Sequence, residues 1–165
     1  MHKSTAIKPI KIRDLSKLRK LFKKALIRDF AYFPGEYLEE VERENTLFKF
    51  LKAKQNSQRL LLGLFEGKRL IGYAIADVSK PDDNFIFWLY VIDESRGSGH
   101  GKDLLKDVLS RMHKKGATEV KLMTHQLQDF YKSSGFDIFN ENKDLFEGIT
   151  MYEMRKVFKD ETKTA

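Results

Sequence analysis

Residues 84–92 are almost entirely apolar, and this stretch restricts the architectures open to the chain. It is far too short for a helix that crosses a bilayer, which needs about 20 apolar residues. Short apolar runs of this kind are typical of strands that are covered on both faces. We therefore expect residues 84–92 to form the central strand of a sheet.

The spacing of apolar side chains predicts a strand and two helices in the N-terminal part of the chain. Residues 6–12 alternate apolar and polar side chains, as a strand does. Asp14 is placed to cap a first helix, and a second helix is expected from about residue 36 to residue 53. The inner positions expected on the second helix are Val41, Phe48 and Leu51.

Strands and helices are also predicted on both sides of the central strand. Residues 59–65 and 69–78 are rich in Leu, Ile and Val and have the spacing of a tight antiparallel hairpin. After the central strand, apolar residues at helical spacing predict a helix that ends at Gly116. The elements expected beyond it are a strand at 118–124, a short helix at 127–134, and strands at 136–139 and 149–158 joined by a polar loop.

This order of elements predicts an α/β (α+β) fold. A mixed central sheet of about seven strands would be flanked by helices on both faces. The 165 residues and the 41% content of hydrophobic residues suit a single domain. We expect that domain to cover residues 1–158 and the tail at 159–165 to be disordered.

The charge of the chain is compatible with an acidic partner, since 31 basic and 24 acidic residues give a net charge of +7. The basic residues are scattered along predicted helices, which favours solvated helix faces over a nucleic-acid-binding surface. The absence of cysteine excludes thiolate catalysis. Because neither a signal peptide nor a membrane span is recognisable, we expect a cytoplasmic protein without membrane or nucleic-acid partners.

A glycine-rich turn lies between the central strand and the helix that follows it. Glycines at 97, 99 and 101 let the backbone approach a ligand, and the free N–H groups of the first helical turn suit a pyrophosphate. The turn differs from a Walker P-loop, because Arg96 stands at the first required glycine and Asp103 at the Ser or Thr. It also differs from the dinucleotide fingerprint, because its glycines run G-x-G-x-G.

The remaining pattern resembles the GNAT superfamily of N-acetyltransferases. The coenzyme motif of that superfamily reads Gln or Arg, any two residues, Gly, any residue, then Gly or Ala, and Arg96, Gly99 and Gly101 match it. Residues 89–91 are similar to the end of the family's core strand, and residues 130–136 to its F-Y-x-x-x-G-F signature. Asp93 departs from the family, which often has Pro there.

The resemblance implies a mostly antiparallel sheet and acetyl-CoA as the acyl donor. It implies that the N–H of Val91 lies near the thioester carbonyl and that Tyr131 is the general acid for the departing sulfur. A branched side chain at Gly99 or Gly101 is then expected to block the pyrophosphate. The residues expected to bind the coenzyme are Leu89, Tyr90, Val91, Arg96, Gly97, Ser98, Gly99, His100, Gly101 and Lys102.

The acceptor is expected to be a small-molecule, peptide or protein amine that takes the acetyl group directly. The protein itself is expected to be a monomer or a homodimer. We expect its pocket to be framed by Tyr32, Phe33, Trp88 and the loop at 140–148. An aromatic lining of this kind holds an amine by stacking or cation–π contact, although such residues are more often plain core.

The general base is not identified by any motif. An alkylamine with a pKa of about 10.4 is almost entirely protonated at neutral pH, so a proton acceptor is needed. The family often uses a carboxylate on the central strand, but residues 85–90 are uncharged. His125 is a candidate base, and a helix-capping histidine is the alternative. Other candidates are Asp77, Glu36 and Glu147, each of which also suits an exposed surface charge.

The missing base keeps a second function open, a non-catalytic acyl-CoA-binding sensor or regulatory module. No metal site is predicted, because His2, His100 and His113 show no ligand spacing.

Overall fold

A computed structural model describes residues 4–159, which form seven strands and five α-helices. The strands are β1 (Thr5–Pro9), β2 (Arg59–Glu66), β3 (Arg69–Val78), β4 (Asn84–Val91), β5 (Glu119–Thr124), β6 (Asp137–Phe146) and β7 (Ile149–Val157). The helices are α1 (Leu15–Arg28), α2 (Gly35–Glu44), α3 (Leu47–Gln55), α4 (His100–Lys114) and α5 (Gln128–Lys132). Single 3₁₀ turns lie at Ile12–Asp14 and Asp93–Ser95.

The strands form one mixed sheet in the order β1-β2-β3-β4-β5-β7-β6, which puts β4 at the centre as predicted. Every neighbouring pair is antiparallel except β4 and β5, which are parallel and joined by the crossover through α4. All residues of β3 from Leu70 to Ala76 other than Gly72 are core side chains that are at most 8% exposed, so both faces of the sheet are covered. The predicted fold class is confirmed.

Helix α4 and its end agree with the periodicity of the sequence. Its apolar stripe is buried, and its last turn closes in a Schellman motif. The N–H of Ala117 donates to Met112 O at 3.1 Å and that of Gly116 to His113 O at 2.8 Å, with Gly116 at φ +95°. Gly116 therefore ends the helix, as expected.

The single helix predicted over residues 36–53 is wrong, because the chain breaks into α2 and α3 at Asn45 and Thr46. The Asn45 side chain donates to Val41 O at 2.8 Å, and Thr46 Oγ1 accepts the Lys49 N–H at 3.3 Å to cap α3. The break resets the helical phase, so Phe50 is 3% exposed whereas Phe48 is 72% exposed.

Of the three inner positions predicted on that helix, Val41 is buried. Phe48 and Leu51 instead lie on the outer face of α3.

The polar loop predicted between the last two strands is also wrong, because β6 continues to Phe146 and turns at Gly148, where φ is +72°. β6 is an edge strand with mostly exposed side chains, so it has no apolar alternation to recognise.

Asp14 stands at the start of α1 but makes no cap hydrogen bond, because it pairs with Lys17 at 2.8 Å. Of the tail at 159–165 that is expected to be disordered, residues 160–165 lie outside the described residues.

Within residues 4–159, no helix is long and apolar enough to cross a membrane.

Candidate active site

β4 is bent by a β-bulge at Phe87. Trp88 pairs with Ile75 of β3 and Ile86 pairs with the next residue, Ala76, so Phe87 is the extra residue on β4. A bulge bends its strand and strengthens the local twist. Within the described chain, Phe85 and Lys121 are the only Cα partners between β4 and β5, so the two strands separate beyond that pair. The second half of β4 is therefore open along the edge that faces β5.

In the described part of the chain, the open edge carries N–H groups of β4 that have no partner in the sheet. The N–H of Ile92, the residue that follows β4, donates to Ile71 O of β3 at 2.9 Å. Because peptide groups alternate along a strand, those of Tyr90 also face β3, whereas those of Leu89 and Val91 face the open edge. The structure thus puts two of the three predicted strand residues at the opening, and Tyr90 on the paired side.

The glycine-rich turn joins this strand to α4 and leaves its amides without partners. Gly97 and Gly99 have φ angles of +79° and +84°, a conformation that favours glycine. Among residues 4–159, no acceptor is found for the N–H groups of residues 97–102. These donors lie at the N-terminus of α4, where the helix dipole is positive, so the turn suits an anion.

The structure gives a further reason for two of the three glycines. A Cβ on Gly97 or Gly99 would have no atom within 4 Å, so those two positions need glycine for its backbone conformation. A Cβ on Gly101, which has an ordinary helical conformation, would lie 3.5 Å from the Phe130 ring of α5. That distance is an ordinary contact, which explains why the motif accepts Gly or Ala there.

The other predicted residues of the turn have different surroundings. Ser98 and Lys102 are exposed and His100 is half-buried. Arg96 is engaged within the chain: its Nε donates to Val91 O at 2.8 Å, and its guanidinium pairs with Asp93 and, at 3.6 Å, with Asp29. It also lies 5.4 Å from the centre of the Tyr90 ring. Arg96 therefore ties the turn to β4 and to the end of α1.

Tyr90 contributes to this network through its hydroxyl, which donates to Asp29 Oδ2 at 2.7 Å. Burial, followed by the hydrogen bond to Asp29, raises the pKa of Tyr90 well above its usual range. Its side chain fixes the end of α1 against the central strand.

Tyr131 lies on α5, whose Phe130 ring is next to the first turn of α4. The Tyr131 side chain is 7% exposed and packs between Phe130 and Phe136, with ring centres 5.0 and 5.8 Å away. Burial raises the pKa of Tyr131 to about 12, so the phenol stays protonated at neutral pH. Within the described chain its hydroxyl has no hydrogen-bond partner and is not fully buried.

An aromatic cluster runs from Trp88 of β4 to Phe146 of β6. Its rings follow one another with centre-to-centre distances of 5.3 Å for Trp88–Phe30, 6.3 Å for Phe30–Tyr32, 4.5 Å for Tyr32–Phe33 and 5.1 Å for Phe33–Phe146. The predicted residues Tyr32, Phe33 and Trp88 thus meet, together with Phe146 from the 140–148 segment. Phe30 and Tyr37 were missed, although both belong to the aromatic-rich segment around residue 33.

His125 directly follows β5 and lies against this cluster. Its ring centre is 5.3 Å from that of Tyr32, and its Nδ1 is 2.8 Å from the carbonyl oxygen of Thr150. The other candidate bases are less suitable, because Asp77 is paired with Arg59 and the side chains of Glu36 and Glu147 are exposed.

Two further observations concern the rest of the molecule. Among residues 4–159, no group of three or more His, Asp or Glu side chains could hold a metal ion. A cavity of about 670 Å³, lined by His113, Gly135 and Lys156 among others, contains none of the predicted site residues. The open edge of β4 and the glycine turn therefore remain the candidate site.

The sequence of residues 33–158 matches the family described as the acetyltransferase (GNAT) domain. No curated protein matches the chain.

Solved structures share the fold. The PaiA N-acetyltransferase from Thermoplasma acidophilum, solved in complex with coenzyme A, superposes with a TM-score of 0.78 at 24% identity, covering 94% of this chain and 99% of that one. The ribosomal-protein-alanine N-acetyltransferase from Brucella melitensis superposes with a TM-score of 0.73 at 17% identity, covering 93% of this chain and 99% of that one.

Proposed function

The chain belongs to the GNAT family of acetyltransferases, and from this we propose that it moves an acetyl group from acetyl-CoA to a primary amine in the opening beside β4. The observation that carries this proposal is that two sets of free backbone N–H groups follow each other along the chain. The edge of β4 presents Leu89 and Val91, and the turn that follows presents the amides of residues 97–102.

Acetyl-CoA fits this arrangement in two parts. The turn would hold the pyrophosphate, because a row of N–H groups at a helix N-terminus stabilises negative charge. The edge of β4 would pair with the amide groups of the pantetheine arm, as an added strand pairs with an open sheet edge. Lys102 would add a charge-assisted contact to the phosphates, whereas Arg96 would hold the turn in place.

The chemistry assigned to the site uses Val91 and Tyr131. The free Val91 N–H would stabilise the charge that develops on the thioester oxygen. Tyr131 would give its proton to the departing sulfur, since its phenol, whose pKa burial raises to about 12, carries a proton at neutral pH. The acetyl group would pass directly to the acceptor, since the chain has no cysteine to carry it.

The acceptor amine would lie against the aromatic cluster defined by Phe30, Tyr32, Phe33, Trp88 and Phe146. Aromatic faces attract a protonated amine and also pack against its carbon chain. The cluster is partly open, because Tyr32 is 41% exposed.

Two measurements test this function. Calorimetry with acetyl-CoA measures binding, and a thiol assay measures coenzyme A release with benzylamine, a diaminoalkane and a hexapeptide with a free N-terminus. We expect binding and amine-dependent thiol release. Binding without thiol release for any amine would favour the sensor, and the absence of binding would contradict the proposed donor.

A further inference from the structure

We propose that His125 is the general base that removes a proton from the acceptor amine. This inference rests on the proposed acetyl transfer and assigns the one role that no sequence motif identifies. It is carried by the position of His125 along β5, by the hydrogen bond to its Nδ1 and by its contact with the aromatic cluster.

The strand register brings His125 to the level of the reacting groups. β4 and β5 are parallel, and Phe85 pairs with Lys121. Counting the same number of residues along both strands from this pair places His125 across from Leu89, or from Tyr90 when the bulge at Phe87 is included. His125 therefore lies just after the end of β5, at the level of the free edge of β4.

The hydrogen bond to Thr150 determines which ring nitrogen can act. A carbonyl oxygen only accepts hydrogen bonds, so Nδ1 must be the protonated nitrogen in the 2.8 Å contact with Thr150 O. In the neutral ring the lone pair is then on Nε2. His125 is thus held in the tautomer that a base requires, by a bond that also orients the ring.

The surroundings of His125 suit a proton acceptor at the acceptor pocket. Tyr32 packs beside the ring, and burial raises the pKa of Tyr32, so this neighbour stays neutral. The Gln128 side chain from α5 donates to the His125 carbonyl oxygen at 3.2 Å, and β7 contributes the Thr150 carbonyl. Within residues 4–159, no charged side chain pairs with the ring.

In the proposed transfer the acceptor nitrogen loses two protons, and the acetyl group exchanges its C–S bond for a C–N bond. Nε2 of His125 takes one proton from the acceptor ammonium, and the neutral amine attacks the thioester carbonyl carbon. The C–N bond forms and the C–S bond breaks, and the sulfur takes the proton of Tyr131. The second proton lost by the nitrogen returns to Tyr131 through water, and His125 releases its own proton to solvent.

The test compares His125→Asn with the wild-type chain. The Asn side chain retains an N–H donor for Thr150 O and lacks the basic nitrogen. We expect kcat/KM for the best amine of the three-member panel to fall by ~10²-fold at neutral pH. The deficit should narrow towards about pH 9.5, because a larger fraction of the acceptor amine is then already neutral and needs no base.

His113→Asn is the matched control, because His113 also contacts a carbonyl, Ala117 O at 3.3 Å, but packs against Phe158 on the far end of α4. It should retain wild-type rates. As a second readout, imidazole should restore thiol release to His125→Ala.

The outcomes separate this inference from the proposed function. If the wild-type chain acetylates an amine and His125→Asn is equally active, or is reduced by the same factor at every pH, His125 is not the base. A wild-type chain that acetylates no amine contradicts the proposed function, and this assignment with it.

Discussion

Nε of Arg96 donates a hydrogen bond of 2.8 Å to the carbonyl oxygen of Val91 and so ties the start of the glycine-rich turn to the open edge of β4. The sequence motif indicates a phosphate contact for this arginine. In the structure its guanidinium contacts Val91, Asp93 and Asp29. The relationship makes Arg96 a residue that positions the glycine-rich turn.

Arg96→Lys separates the two roles of this arginine. Lysine retains the positive charge but not the planar fork, so a phosphate contact would survive while the tie to Val91 would be lost. We expect Arg96→Lys and Arg96→Ala to lower the free energy of unfolding by a similar amount, about 1 kcal/mol, because the side chain is half exposed. Urea unfolding measures the change in stability, and calorimetry with acetyl-CoA measures the change in affinity.

Lys102→Ala, at an exposed site, should weaken acetyl-CoA binding modestly and leave stability unchanged.

Gly99→Ala and Gly101→Ala should differ in their effects on stability and on acetyl-CoA affinity. Alanine at position 99 must adopt a φ near +84°, which costs about 1–2 kcal/mol and displaces the amides of the turn. Alanine at position 101 meets only the Phe130 ring, at 3.5 Å, and favours the helix. We expect Gly99→Ala to lose stability and acetyl-CoA affinity and Gly101→Ala to retain both. Equal affinities for the two variants would contradict this explanation of the glycines.

Tyr131→Phe should keep the fold and the acetyl-CoA affinity and lower kcat by up to ~10²-fold, as expected for the loss of a general acid. Because burial raises the pKa of Tyr131 to about 12, the phenol is protonated throughout the assay range. The reduction should therefore be the same at every pH from about 6 to 9, unlike the deficit of His125→Asn. An unchanged kcat over that range would show that Tyr131 only packs between its aromatic neighbours.

Phe50→Ala and Phe48→Ala test the break between α2 and α3. Phe50 is 3% exposed and packs edge-on against Phe22 at 5.8 Å, so its removal should cost about 3–5 kcal/mol of unfolding free energy. Phe48 is 72% exposed, and its removal should change stability by less than about 0.5 kcal/mol. Chemical denaturation of both variants measures the difference. A larger loss for Phe48→Ala would support the uninterrupted helix that the sequence pattern predicts.

Local sequence patterns determined most elements and the position of the candidate site. The apolar run at 84–92 and the glycines after it were readable because a buried strand and a tight turn each impose their chemistry on neighbouring residues. The two elements that were predicted wrongly also follow from local sequence patterns. Phe48 and Phe50 are both good core residues, and the cap at Thr46 decides which of them faces inwards. The sequence of β6 resembles that of a polar loop, because both faces of this edge strand are largely exposed.

Only the tertiary structure decided which groups of the site are free and which are held. The direction of the Val91 N–H depends on the pairing of β4 with β3, and the opening beside it depends on the bulge at Phe87. The tautomer of His125 depends on Thr150, which is 25 residues away along the chain. Sequence spacing carries residue type and helical or strand period, whereas hydrogen-bond partners of this kind are brought together only when the strands pair.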